Sequence, residues 1–200
     1  MDPMDARQVA ALRGLLASTG WLERTTEFAR ALRRSSQTRG GLLIVGTPDA
    51  EPWHLAAHLD EESRMSGVPE LKPTLIRWDP PTDAPPHLRA GLTRLDRAQR
   101  GETLFVVSPQ AAPDALLERV HSARKVATVL ALDQGDPELE AMAHEVLTVR
   151  PDSAPVSFDA AQHLVSAAAG APGAAGGRPR AGLRERLGRL LDAVSGPASG

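Results

Sequence analysis

The chain has 200 residues, 42% of them apolar but only 3% aromatic, and its 23 basic and 25 acidic residues leave a net charge of −2. A balance so near neutral argues against a general nucleic-acid binder, which carries a basic excess. The absence of cysteine excludes disulfides, thiolate metal sites and a thiol nucleophile.

Asp2 and Asp5 open the chain, and no apolar run approaches the roughly 18 residues a membrane helix needs. A soluble, cytoplasmic protein is therefore expected. Val9, Leu12, Leu15 and Leu16 recur at helical spacing and predict a first helix ending at Gly20. Leu22, Phe28, Ala29 and Leu32 set the apolar side of a second, about Leu22 to Arg34. These two helices make up an N-terminal segment, residues 1–38.

From residue 41 short apolar runs alternate with helical stretches. The runs are GLLIVG (41–46), TLIRW (74–78), TLFVV (103–107), VATVLAL (126–132) and EVLTV (145–149). Helices are expected near 52–66, 86–99, 112–124, 137–143 and 158–169. Strands alternating with helices imply parallel pairing through right-handed crossovers. Runs that are apolar throughout mark strands covered on both faces. The prediction is an α/β domain over 39–168: a three-layer, doubly wound, five-stranded parallel sheet.

After it, AAAGAPGAAGGRPRAG (167–182) has the composition of a flexible linker, taken as 169–182. Leu183, Leu187, Leu190, Leu191 and Val194 then share one side of a predicted amphipathic helix over 183–195. Between Arg178 and Asp192 five arginines face two acids, a local charge of +3. Such a helix suits an acidic protein groove or an anionic surface.

The stretch GETLFVVSPQAAPDALLERVHSARKVATVLALDQGDPELEAMAHEVLTVRP (101–151) resembles the second half of a SIS (sugar isomerase) domain. The similarity extends more weakly over 40–168. The resemblance implies strand order 2-1-3-4-5, a homodimer, and a phosphosugar site formed by the loops after the first and third strands. That family's second loop usually reads Ser-x-Ser-Gly-x-Thr. Here Ser108 matches the first serine, while Gln110, Ala111 and Pro113 replace the second serine, the glycine and the threonine. Its first loop is usually Gly-x-Gly-x-Ser, of which Gly46 remains, with Pro48 and Ala50 at the second glycine and the serine. Phosphate wants converging N–H and O–H donors at a helix N-terminus. Pro48, Pro109 and Pro113 each remove a donor, and Asp49, Glu51 and Asp114 add negative charge. The residues left for ligand contact are Gly46, Thr47, Ser108 and Gln110, at a crevice that the strand order puts at the switch point.

Other chemistry is sparse. His54 and His58 are four apart, a spacing that can hold a metal, but no third ligand is evident and two surface histidines are the simpler reading. Asp159 and His163 are also four apart. The resemblance makes His163 a weak candidate general base, with Glu51 or Glu61 as a guess for the carboxylate an isomerase would add. A helix-capping Asp159 and an ordinary His163 are the plainer alternative. Trp53 and Trp78 flank the crevice and are read as core plugs before ligand platforms. No cofactor or metal is expected. The leading expectation is a non-catalytic SIS-like binding or interaction module, with a small sugar-derived ligand as one occupant. A phosphosugar isomerase and a scaffold that recruits a partner through its C-terminal helix are the alternatives.

Overall fold

The structure, a computed structural model, describes residues 20–83 and 88–171. The predicted first helix and the 183–195 helix, with all but the start of the linker before it, lie outside the described residues. In chain order the elements are α1 (Trp21–Ser35), β1 (Leu42–Gly46), α2 (Trp53–Ser66), β2 (Pro73–Ile76), β3 (Thr103–Ser108), α3 (Asp114–Ala123), β4 (Thr128–Asp133), α4 (Pro137–Met142), β5 (Glu145–Thr148) and α5 (Phe158–Gly170). The strands form one parallel sheet in the order β2-β1-β3-β4-β5, as expected.

Why the strand runs are apolar throughout is visible in the packing. Successive side chains point to opposite faces, and both faces are covered. Leu42, Ile44, Phe105, Val107, Leu130 and Leu132 pack with the buried sides of α1, α2 and α5. Their neighbours in sequence, Leu43, Val45, Leu104, Val106, Val129 and Ala131, pack with α3, α4 and a 3₁₀ turn at Leu92–Arg97.

Helix α1 belongs to the same core. Trp21, Phe28, Ala29 and Leu32 are buried, and the Phe28 ring meets Phe105 of the central strand with centroids 5.5 Å apart. Arg33 Nη1 donates to the carbonyls of Ala169 and Ala171, closing the C-terminal end of α5. The apolar face of this helix is thus spent on its own sheet.

The helix expected over 86–99 is not formed among the described residues. Pro80 and Pro81 precede an extended Gly91, and the segment winds only into the 3₁₀ turn, where Leu95 is the buried residue. Arg94 pairs with Glu102 and ties the turn to the start of β3. Strand β2 is shorter than expected and ends at Ile76. Arg77 leaves the sheet with its N–H donating to the Ala90 carbonyl, 2.8 Å away. No helix among the described residues is long and apolar enough to cross a membrane.

Candidate ligand crevice

Strand order reverses at β1 and β3, so the loops leaving their C-terminal ends diverge and open a crevice. The cleft there has a volume of about 110 Å³. Glu51, Trp53 and His54 form one wall, Pro109 another, and Phe158, Asp159 and Gln162 of α5 complete it. Small-molecule sites usually enclose roughly 300 Å³ or more, so this cleft is shallow.

The first loop folds back on its own strand. Ala50 N–H donates to the Thr47 carbonyl, and a Cβ at Gly46 would collide with the Ala50 carbonyl and lie 2.7 Å from Pro52 Cδ. Gly46 therefore makes room for its own loop. Thr47 is buried and its hydroxyl has no hydrogen-bond partner.

Glu51 is the hub of this wall. One carboxylate oxygen accepts the Trp78 backbone N–H at 2.9 Å. The other accepts the Trp53 indole N–H at 3.0 Å and Arg77 Nε at 3.3 Å. The Arg77 guanidinium lies 4.8 Å from the centre of the Trp53 ring, a cation–π contact. Trp78 turns its indole N–H onto the Gly46 carbonyl, 2.8 Å away. The structure corrects the reading of Trp53 as a core plug, since it is 40% exposed, whereas half-buried Trp78 packs against the core and Trp21 lies within it.

The second loop is held in the same way by a different carboxylate. Ser108 is fully buried and its hydroxyl donates to the Gln110 carbonyl at 2.6 Å. The Ala112 N–H donates to Asp136 Oδ2 at 2.7 Å, while Asp136 Oδ1 caps α4 by accepting from Glu138 and Leu139. The Asp136 N–H in turn donates to Asp133 Oδ2 at 3.1 Å. Asp133, paired with Ser108 across the sheet, is fully buried. Burial pushes its carboxyl up to about 6, and nearby Glu140 pushes the same way, against the hydrogen bond from the Asp136 N–H. Sequence reading passed over Asp133, although an acid closing an otherwise apolar strand was the available signal.

Each helix that starts on this edge brings its own carboxylate. Glu51 precedes α2, Asp114 and Asp159 lie in the first turns of α3 and α5, and Asp136 caps α4. The positive helix ends that would attract phosphate are already faced by negative side chains.

The histidines are arranged differently from the expectation of surface residues. His54 is exposed, but His58 packs edge-on against His163 of α5, with ring centres 4.5 Å apart. His163 Nε2 lies 3.6 Å from Asp159 Oδ2 and its ring does not line the cleft. Desolvation holds His58 below the usual histidine range, and the neighbouring His163 lowers it further. The cap of α5 is Ser157, whose hydroxyl accepts the Ala160 N–H, with Asp159 in the first turn. Among the described residues, no three His, Asp or Glu side chains are grouped so as to hold a metal.

A five-stranded parallel sheet of this order, with a crevice beyond the first and third strands, is the SIS/flavodoxin-like α/β fold. Its structure is similar to the sugar isomerase domain of an RpiR transcription factor from Sphaerobacter thermophilus, with a TM-score of 0.50, 16% identity, and 84% of this chain covering 86% of that one. It is similar also to a putative sugar binding protein from Salmonella typhimurium LT2, with a TM-score of 0.50, 15% identity and 90% of this chain covered. The match spans 56% of that longer chain. At these identities the likeness is one of fold. No model of a protein family matches the sequence, and no curated protein matches it either.

Proposed function

We propose that this domain is a non-catalytic SIS-like module whose crevice takes a small uncharged ligand, by fold analogy a sugar derivative, without a phosphate anchor. One observation carries the reading: Glu51 lines the crevice, and its carboxylate already holds the donors gathered around it, Arg77 Nε, Trp53 Nε1 and the Trp78 N–H. Isomerisation of a sugar phosphate draws on the phosphate as a remote handle to orient the reacting carbons. Two loops with prolines at their donor positions and carboxylates at their helix ends offer no such handle. The aromatic faces of Trp53 and Phe158 with Asp159 and Gln162 suit hydroxyl-bearing rings instead. His163, the base that the resemblance points to, is turned toward His58 and Asp159.

The test is a turnover assay with a panel of aldose and ketose phosphates, run beside calorimetry with the corresponding free sugars. No isomerisation is expected, and any binding is expected to favour the unphosphorylated sugar. Turnover abolished by His163→Ala would return the isomerase reading.

A further inference from the structure

The contacts around Glu51 have the form of an occupied anion site. Its two oxygens accept from three donors that come from separate parts of the chain: the start of α2 and the two residues beyond β2. The ion pair is well shielded, with 13% of the Glu51 side chain and 19% of Arg77 accessible. Parts of this cluster are anchored apart from the Glu51 carboxylate, and the Arg77 guanidinium also rests on the Trp53 ring. The Arg77 backbone is tied to Ala90, the Trp78 indole to Gly46, and Trp53 is set by the first turn of α2. A planar cation, an indole N–H and a backbone N–H converging on two oxygens would serve a phosphate or carboxylate equally well.

We infer that Glu51 is the specificity-determining residue of the crevice: a built-in anion that fills the site and thereby excludes anionic ligands. The inference rests on the crevice being the ligand site, as proposed above, but its test does not depend on which ligand that is. Removing the carboxylate leaves Arg77 shielded from water and without its partner. Such an uncompensated cation is costly, and an anion from solution that takes the carboxylate's place relieves the cost.

Glu51→Gln keeps the side chain's shape and removes its charge, and Glu51→Ala also opens space. Each variant and the native chain are titrated with inorganic phosphate and with formate, against chloride at matched ionic strength. Binding is followed by calorimetry and by thermal unfolding. The expected result is saturable phosphate and formate binding to both variants, at least tenfold tighter than to the native chain, with a matching rise in melting temperature. Glu51→Ala that folds only in phosphate or formate, and not in chloride, is the same result seen through refolding. The double variant Glu51→Gln/Arg77→Ala is expected to lose the effect. Native protein that binds phosphate as tightly as the variants overturns the inference. So do variants indifferent to both anions, or anion binding that survives loss of Arg77. Sugar-phosphate turnover by the native chain would overturn the non-catalytic reading without touching this comparison.

Discussion

Asp133 and His58 show how a buried and a half-buried group can respond to pH in opposite senses. Burial raises the folded Asp133 carboxyl from the usual 3.8 to about 6, so the folded state holds its proton more tightly than the unfolded chain. Its contribution is fully present below about pH 4 and is lost as pH rises through 6. That difference corresponds to about 3 kcal/mol, which neutral solution withdraws from the fold. Asp133→Asn, still able to accept the Asp136 N–H, is expected to melt higher than the native chain at pH 8. The two should converge near pH 4, as thermal unfolding across that range will show. A variant that melts lower at pH 8 would mean the ionised carboxylate is needed by the β4–α4 turn. His58 works the other way. Its lowered pKa gives stability that is present above the usual histidine range and is lost as pH falls through the folded value. Measuring the Asp133 effect in a His58→Gln background separates the two.

Asp136 matters more as a joint between elements than as a cap. Its two oxygens serve different structures, one starting α4 and the other holding the loop between β3 and α3. Loss of a cap costs about 1 kcal/mol, and leaving the Ala112 N–H without its acceptor adds about 1 more. Asp136→Ala is therefore expected to cost about 2 kcal/mol in denaturant unfolding and to loosen residues 108–113. Amide exchange at Ala112 reads the second effect directly. A loss of only cap size, with Ala112 still protected, would show that the loop holds without this tie. The failed expectation of a helix over 86–99 belongs to the same scale. Its apolar residues have helical spacing, but the extended Gly91 leaves room only for a 3₁₀ turn anchored by Leu95.

For the whole molecule, the question is what the N-terminal segment contributes. The resemblance implies pairing between copies. Helix α1 fills one side of the sheet, touching Phe105 with Phe28 and capping α5 with Arg33. Deleting residues 1–38 is expected to unfold the domain, because burying Trp21, Phe28 and Leu32 supplies several kcal/mol that nothing else replaces. Circular dichroism and sedimentation of the truncated chain distinguish the outcomes. A chain that stays folded and merely changes from dimer to monomer would make this segment an assembly element.

The sequence by itself determined the layered sheet, its parallel strands and the helices α1 to α5. Uninterrupted apolar runs such as LLIV and LFVV can be satisfied only by cover on both faces, and periodicity carries that information locally. The strand order came from the resemblance, and with it the place of the crevice. The absence of three backbone donors from the two loops was also legible, since Pro48, Pro109 and Pro113 carry no N–H in any conformation. What only the tertiary structure decided is who uses the donors that remain. Glu51 and Arg77 are 26 residues apart, Ala112 and Asp136 24, and His58 lies on a different helix from His163. Nothing in local spacing marks such pairs, because charge satisfaction is settled by distance in space once the sheet has brought the loops together.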